Sequence, residues 1–401
     1  MKTTNSFPSA LITTTQEIKI LRQGNWYKSL DSVLVPYTNY RLHLASSLMM
    51  VDDAKKSKSL GQIASGTVLE RAALLEKALT LFNYGNVLVE GLGKQKPEDF
   101  AHLLWQALGL PDRLVSQWDK ILTEQLTGQL ASLANIPENQ GTCLVSLPAN
   151  TFVCLDACFQ PLLSGMNLWI RPSQREPFSA LRFLSCLLEV GWSAKSLSFY
   201  PTTHSTLVSV ASRLEQSIIY GGDDVECLFA GQSNITVHGP GRAFAIVEQV
   251  SDQIIEQLLT KILVGAGRFC LCLGTILCEN SALALGETIA SILDQVPLEP
   301  QIETNWPLAV RPDVDVCERQ IERLQGLMRE GDRVLTQRPW LVPIGDRFIP
   351  VPTLVYLEQT KNHPLLGVEV DFPFAVIGDI DQAAVNQLNS QSRFSYRLGK
   401  N

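Results

Sequence analysis

Between residues 142 and 248, short apolar runs alternate with helix-patterned stretches, and this alternation constrains the fold more than any other feature of the chain. Cys143–Leu147, Asn167–Arg171, Ser196–Tyr200 and Ser217–Tyr220 are four or five residues long and largely apolar. Runs of that kind read as strands buried on both faces. Between them, Glu176–Val190 places Phe178, Leu181, Leu184 and Leu188 on one helical face. Successive strand–helix units imply a parallel sheet covered on both sides, with ligands taken at the carboxyl ends of the strands. No G-x-G-x-x-G follows any of these strands, so the standard dinucleotide fingerprint is missing.

A second α/β unit follows. Arg242–Glu248 reads as a strand, and Asp252 as the cap of a helix whose Ile254/Ile255, Leu258/Leu259 and Ile262/Leu263 pairs face inward. That helix ends at Gly265-Ala266-Gly267, Thr275–Cys278 begins the next strand, and the loop between carries Cys270 and Cys272. Beyond Pro297 the pattern weakens to a charged helix near Val314–Glu330 and β-rich ground at Phe348–Leu357 and Phe372–Ile377. Ahead of residue 142, Val68–Tyr84 reads as a helix and Pro97–Gln125 as two, broken at Gly109-Leu110-Pro111. The polar stretch Ser57–Ser65 reads as a loop or linker.

Composition narrows the class. In 401 residues there are 33 Lys plus Arg against 40 Asp plus Glu, a formal charge of −7, so no basic stripe is on offer to nucleic acid. Nine cysteines are too sparse and too odd in number for a disulfide scaffold and suit a reducing compartment. Met1–Ala10 has one Lys and no apolar run, unlike an export signal. The most apolar stretch, Cys143–Ile170, is broken by Pro148, Asn150, Asp156, Gln160 and Pro161, short of the roughly 20 apolar residues that span a bilayer. The expectation is a cytoplasmic protein with no membrane span and no nucleic-acid partner.

Several residues can carry chemistry, each with a plainer reading beside it. Cys270 lies in a Gly-rich turn near Arg268, whose charge would favour the attacking thiolate; it also fits a small buried apolar residue. Cys272 and Cys278 suit packing, and no paired C-x-x-C spacing points to structural zinc. Of five histidines, His238 stands out by preceding Gly239-Pro240-Gly241 at a strand end, where packing against the turn would also explain it. Asn150 can aim an amide N–H at a carbonyl oxygen or cap a helix. Gly221-Gly222-Asp223-Asp224, at a strand-to-helix turn, exposes N–H groups suited to a diphosphate, or forms an ordinary tight turn. Arg171-Pro172-Ser173-Gln174-Arg175-Glu176 closes a strand with two Arg and a Ser.

The order of these segments is more specific than any one of them. Leu147-Pro148-Ala149-Asn150, Arg171-Pro172-Ser173-Gln174, Tyr220-Gly221-Gly222-Asp223, His238-Gly239-Pro240-Gly241 and Gly267-Arg268-Phe269-Cys270 resemble the aldehyde dehydrogenase superfamily. Within it they resemble the bacterial long-chain acyl-CoA reductases of bioluminescence (LuxC-like), with Asp371-Phe372-Pro373-Phe374 continuing the likeness. It covers roughly residues 65–385. The resemblance implies an α/β chain of two Rossmann-like three-layer αβα domains: an N-terminal extension (1–65), a cofactor-binding domain (66–240), a catalytic domain (241–385) and a tail (386–401).

It also implies roles. Cys270 would be the nucleophile, and Asn150 with the Cys270 N–H the oxyanion hole. Arg171, Ser173, Gln174 and Arg175 would hold the adenosine ribose, and Gly221 and Gly222 the diphosphate. Gln174 replaces the family's Glu, removing a carboxylate that repels a 2′-phosphate, so NADPH is favoured over NADH, and no metal is expected. His238 stands where oxidising members carry the Glu that activates water, and Arg268 where the family has Gln or Glu. The reading is an NADPH-dependent reductase of an acyl-CoA or acyl-carrier thioester, acting through an S-acyl cysteine and yielding an aldehyde. The alternatives are NAD(P)-dependent aldehyde oxidation and a catalytically silent binding subunit. Homo-oligomers and an acyl-transferring protein partner complete the expectations.

Overall fold

A computed structural model of the chain describes residues 15–60, 66–300 and 302–399. Residues 1–14 and 61–65 lie outside the described residues, and with them the Met1–Ala10 start and most of the expected linker. The N-terminal part holds five short strands, β1 (Gln16–Ile18), β2 (Ile20–Arg22), β3 (Asn25–Tyr27), β4 (Ser32–Leu34) and β5 (Tyr40–His43), then helix α1 (Ser47–Leu60). Helix α2 (Val68–Tyr84) opens with a capping box, in which the Thr67 hydroxyl accepts from Glu70 N–H and the Glu70 carboxylate accepts from Thr67 N–H. The hairpin β6 (Val87–Val89)/β7 (Gly93–Gln95) follows, then α3 (Pro97–Leu108) and α4 (Asp112–Leu130), divided at the expected Gly-Leu-Pro break.

The alternating region folds as expected from its pattern: β8 (Thr142–Ser146), α5 (Phe159–Ser164), β9 (Asn167–Arg171), α6 (Phe178–Glu189), β10 (Leu197–Phe199), α7 (His204–Ala211), β11 (Gln216–Tyr220), α8 (Asp223–Phe229) and β12 (Ile235–His238). Every residue of β8, β9 and β10 is buried, the pattern of parallel strands covered on both faces. The sheet order is β12-β11-β8-β9-β10-β2-β3, with the first five strands parallel and β2 and β3 antiparallel at the edge. Residues 20–27, expected to lie in an N-terminal extension, therefore complete this sheet. They are tied to it through Asp53, which accepts from Arg22 Nε (2.6 Å) and Nη2 (2.7 Å) and from the Tyr200 hydroxyl (2.7 Å). The last carbonyls of α2 are met by Arg182 of α6, fully buried, which donates to Phe82 O (2.9 Å) and Gly85 O (2.8 Å).

The second α/β unit comprises β13 (Ala243–Val247), α9 (Asp252–Leu263), β14 (Leu273–Cys278), α10 (Ala282–Leu293), α11 (Val314–Gly326), β15 (Arg333–Val334), the separate hairpin β16 (Leu341–Ile344)/β17 (Arg347–Pro350), β18 (Thr353–Leu357), β19 (Phe374–Asp379), α12 (Gln382–Gln391) and β20 (Ser395–Leu398), and the other strands form its sheet. Its order is β15-β18-β19-β14-β13-β20, parallel except for β15. The expected tail, 386–401, thus holds the later part of α12 and the edge strand β20 of this sheet. The cap of α9 is Ser251, whose hydroxyl accepts from Ile254 N–H, and Asp252 is the first helical residue, where its charge faces the positive end of the helix. Among the described residues no helix is long and apolar enough to cross a membrane.

Candidate active site

In the first sheet the chain runs from β8 outward to β9 and β10, then returns to place β11 and β12 on the other side of β8. The strand order reverses between β8 and β11, and ligands of open α/β sheets bind outside the carboxyl ends of the strands at such a point. A cavity of about 860 Å³ opens there, between the two sheets. Its lining includes Pro148 and Asn150 after β8, Tyr220 at the end of β11 and Gly221 and Gly222 after it, His238 at the end of β12, and Cys270. The resemblance-implied nucleophile, amide, histidine and glycine pair thus meet in one space.

Two close approaches set the Cys270 loop. At Gly241 a Cβ would lie 1.7 Å from the Cys270 carbonyl oxygen, so only glycine lets the turn after His238 pass so near. At Gly267, with φ +73°, a Cβ would lie 2.3 Å from the Phe372 carbonyl carbon. Between α9 and Cys270 the chain is left-handed at Gly265 (φ 59°) and Ala266 (φ 56°), the latter an unfavourable conformation for a side-chain-bearing residue and characteristic of functional loops.

Asn150 does not cap a helix. Its Nδ2 donates to the Arg268 carbonyl (2.7 Å), which fixes the amide of a residue that lines the same cavity as Cys270. The expected help from Arg268 to the thiolate is not found. Its guanidinium is buried and turned to the Leu108 carbonyl at the end of α3 (2.9 Å). Cys270 stays accessible, yet burial pushes its thiol above the ordinary value and the Glu369 carboxylate pushes the same way. The His238 ring stacks on Tyr220, with centroids 4.7 Å apart and planes 17° apart, and burial then Arg393 hold its pKa below the ordinary imidazole value.

The adenosine-site residues are divided. Arg171 is buried, with Nη1 donating to Ser146 Oγ (3.2 Å) and Nη2 to the Thr202 carbonyl (3.1 Å), and burial pulls it down to about 10. Gln174 Nε2 also donates to Thr202 O (3.2 Å), and Ser173 Oγ accepts from Arg175 N–H (3.1 Å). None of these four lines the cavity, and the Arg175 side chain is exposed. The diphosphate end of a dinucleotide fits the arrangement, since Gly221 and Gly222 line the crevice at the reversal of strand order; the buried Arg171 Nε has no acceptor of its own. The charge of Asp223, in the first turn of α8, is matched by Arg242 (2.6 Å). Among the described residues no group of three or more His, Cys, Asp or Glu is placed to hold a metal ion.

Sequence reasoning missed Cys154, Asp156, Tyr220 and Glu369, all of which line the cavity. The Tyr220 hydroxyl donates to the Cys154 sulfur, and burial pushes both groups well up. Burial pushes Asp156 up to about 6. Glu369 accepts from the Arg242 N–H (2.7 Å) and the Gly241 N–H. The available signal for Asp156 was a lone carboxylate in an apolar stretch, and for Glu369 its place two residues before the Asp371-Phe372-Pro373-Phe374 motif.

This architecture is the aldehyde dehydrogenase fold. Among solved structures, an aldehyde dehydrogenase from Bacillus cereus in complex with NAD+ superposes with a TM-score of 0.76 at 14% identity, covering 99% of this chain and 87% of its own. Aldehyde dehydrogenase 21 from Physcomitrella patens, in complex with the reaction product succinate, gives 0.75 at 16% identity, covering 97% of this chain and 86% of its own. A salicylaldehyde dehydrogenase from Pseudomonas putida G7, complexed with salicylaldehyde, gives 0.74 at 14%, covering 96% and 86%. No protein-family model matches the chain, and no curated protein matches its sequence. Identities this low carry the fold alone.

Proposed function

We propose that the chain is an NADPH-dependent acyl-thioester reductase of the LuxC-like kind. The observation that carries this reading is the meeting of Cys270, Asn150, Gly221 and Gly222 in one cavity, with His238 where oxidising relatives carry a water-activating Glu. Cys270 attacks the thioester carbon of an acyl-CoA or acyl-carrier substrate and expels its thiol. The Asn150 amide, oriented by the Arg268 carbonyl, stabilises with the Cys270 backbone N–H the negative charge that gathers on the acyl oxygen. The cofactor, when bound, supplies the hydride that reduces the acyl carbon to an aldehyde. Gly221 and Gly222 admit its diphosphate, Gln174, Ser173 and the exposed Arg175 form its adenosine end, and the buried Arg171 supports that end through Ser146 and the Thr202 carbonyl. With no Glu at position 238, transfer of the acyl group to water is disfavoured.

A second reading, NAD(P)-dependent oxidation of an aldehyde, is favoured by the two carboxyl groups, Asp156 and Glu369, that line the cavity. Product analysis separates the two. With NADPH and a panel of acyl-CoA chain lengths, the first reading predicts loss of nicotinamide absorbance and release of aldehyde. Acid formed from an aldehyde and NAD(P)+ without added thiol, and no acyl-CoA-dependent loss, would establish the second. No turnover in either direction would leave the fold as a binding subunit. Assembly into a homo-oligomer is part of the same proposal and is read by light scattering of the full chain.

A further inference from the structure

The Cys270 thiol needs a base. Burial and the charges of Glu369 and Asp156 hold it protonated at neutral pH, and the Arg268 guanidinium, bonded to the Leu108 carbonyl, is not among the charges that act on it. The cavity offers few groups to take the proton. Glu369, whose carboxyl burial also raises, is engaged by two backbone N–H donors, Asp371 is paired with Arg311 (2.8 Å), and the His238 ring lies flat on Tyr220 with its basicity depressed. The Tyr220 phenol donates to Cys154, and burial holds the Cys154 and Cys272 thiols protonated.

Asp156 is placed differently. It lies on the 3-10 turn after β8, where Leu155 and Cys158 are buried in the core while Asp156 is half-buried and lines the cavity with Cys270. Its carboxylate accepts from the Ala157 N–H, and it forms no ion pair among the described residues. The titratable groups around it are Cys154 and Cys158 on its own turn, Tyr220 from β11 and Cys270 from the loop. Helix α4 presents to the cavity Ile121 and Gln125, neither of which titrates. Its raised pKa leaves it ionised at pH 7 and more basic than an ordinary carboxylate, as suits a general base.

We propose that Asp156 is the base that takes the Cys270 proton, directly or through one water, during acylation. This rests on Cys270 being the nucleophile. The Asp156 carboxylate takes the thiol proton, and the freed sulfur electron pair forms the bond to the acyl carbon. The bond from that carbon to the donor sulfur breaks, and the Asp156 carboxylic acid returns the proton to the departing thiolate.

The test is the rate of alkylation of the full-length protein by iodoacetamide from pH 5 to 9, with peptide mass mapping to assign each modified cysteine. A base and a mere neighbouring charge predict opposite signs. With Asp156 as base, Asp156→Asn slows Cys270 alkylation at pH 7 by about 100-fold and removes the inflection near pH 6, while Asp156→Glu keeps an inflection. If Asp156 acts only by its charge, Asp156→Asn lowers the thiol pKa and speeds alkylation, which overturns the proposal, as does an unchanged profile. If Cys270→Ser is alkylated at the wild-type rate and mapping finds the label elsewhere, the nucleophile reading itself fails and the proposal falls with it. Should Asp156→Asn fail to fold, the position of the inflection in Asp156→Glu decides: a shifted inflection supports the base and an unmoved one rejects it.

Discussion

Gly241→Ala is the most informative small change in the molecule. The added methyl carbon would sit 1.7 Å from the Cys270 carbonyl oxygen, 2.5 Å from its carbonyl carbon and 3.0 Å from its Cβ. Carbon does not approach backbone oxygen inside about 3.0 Å, so the turn or the Cys270 loop must shift by more than about 1 Å. Neither side yields easily. The Gly241 carbonyl accepts from Arg393 N–H (2.8 Å) and its N–H is held by Glu369, while the loop is fixed where Gly267 meets Phe372. Overpacking of this kind costs about 1–3 kcal/mol of stability, and a 1 Å displacement of a reacting group costs about 100-fold in rate. Thermal unfolding and Cys270 alkylation, measured on the same preparation, separate the two effects. Rate loss should exceed anything expected from partial unfolding at the assay temperature. A variant within threefold of wild type in alkylation and turnover would refute the claim that this contact positions the nucleophile.

Other expectations follow from single residues. Asn150→Ala removes an amide already oriented by the Arg268 carbonyl and should lower turnover by about 10²–10³-fold with little change in thermal midpoint. Arg175→Met should raise the KM for NADPH and leave that for NADH unchanged, whereas Arg171→Met should act on stability, by about 1–3 kcal/mol, because its hydrogen bonds are buried. His363 is fully buried, its Nδ1 accepting from Leu365 N–H and its Nε2 donating to Asp332 (2.9 Å). Burial holds its pKa below the ordinary value, so the folded state binds the proton less readily than the unfolded chain. The stability it contributes is complete above about pH 6.5 and falls as the pH drops through that value. Denaturant titrations at several pH values should show a steeper acid loss in wild type than in His363→Gln; parallel curves would contradict this.

What was legible in the sequence was the part governed by continuous burial. β9 runs Asn167–Arg171 and α2 runs Val68–Tyr84, as their patterns predict, because a strand with an apolar centre and a capped amphipathic helix carry their own signal. The strands of residues 16–43 are three or four residues long, too short for a period-2 pattern to declare itself, and their place in the fold depends on partners such as Asp53 and Tyr200 far along the chain. At the site, the order of the motifs brought Asn150, Gly221, His238 and Cys270 into view, since each lies at or shortly after the end of a strand or helix. Side-chain direction was not legible: Arg268 reaches the Leu108 carbonyl at the end of α3 from a loop whose left-handed pair Gly265-Ala266 has no local apolar pattern to announce it. Asp156 read only as a break in an apolar run, since nothing local shows that its side of the turn faces a cavity.

The central claim is that Cys270 carries the acyl group. Incubating the full chain with an acyl-CoA labelled in its acyl carbon, without cofactor, and then denaturing it should leave label bound through a thioester on the Cys270 peptide. The label should be released by hydroxylamine, chased as aldehyde on adding NADPH, and absent in Cys270→Ala. Equal labelling of Cys270→Ala, or label that NADPH cannot chase, would contradict the account.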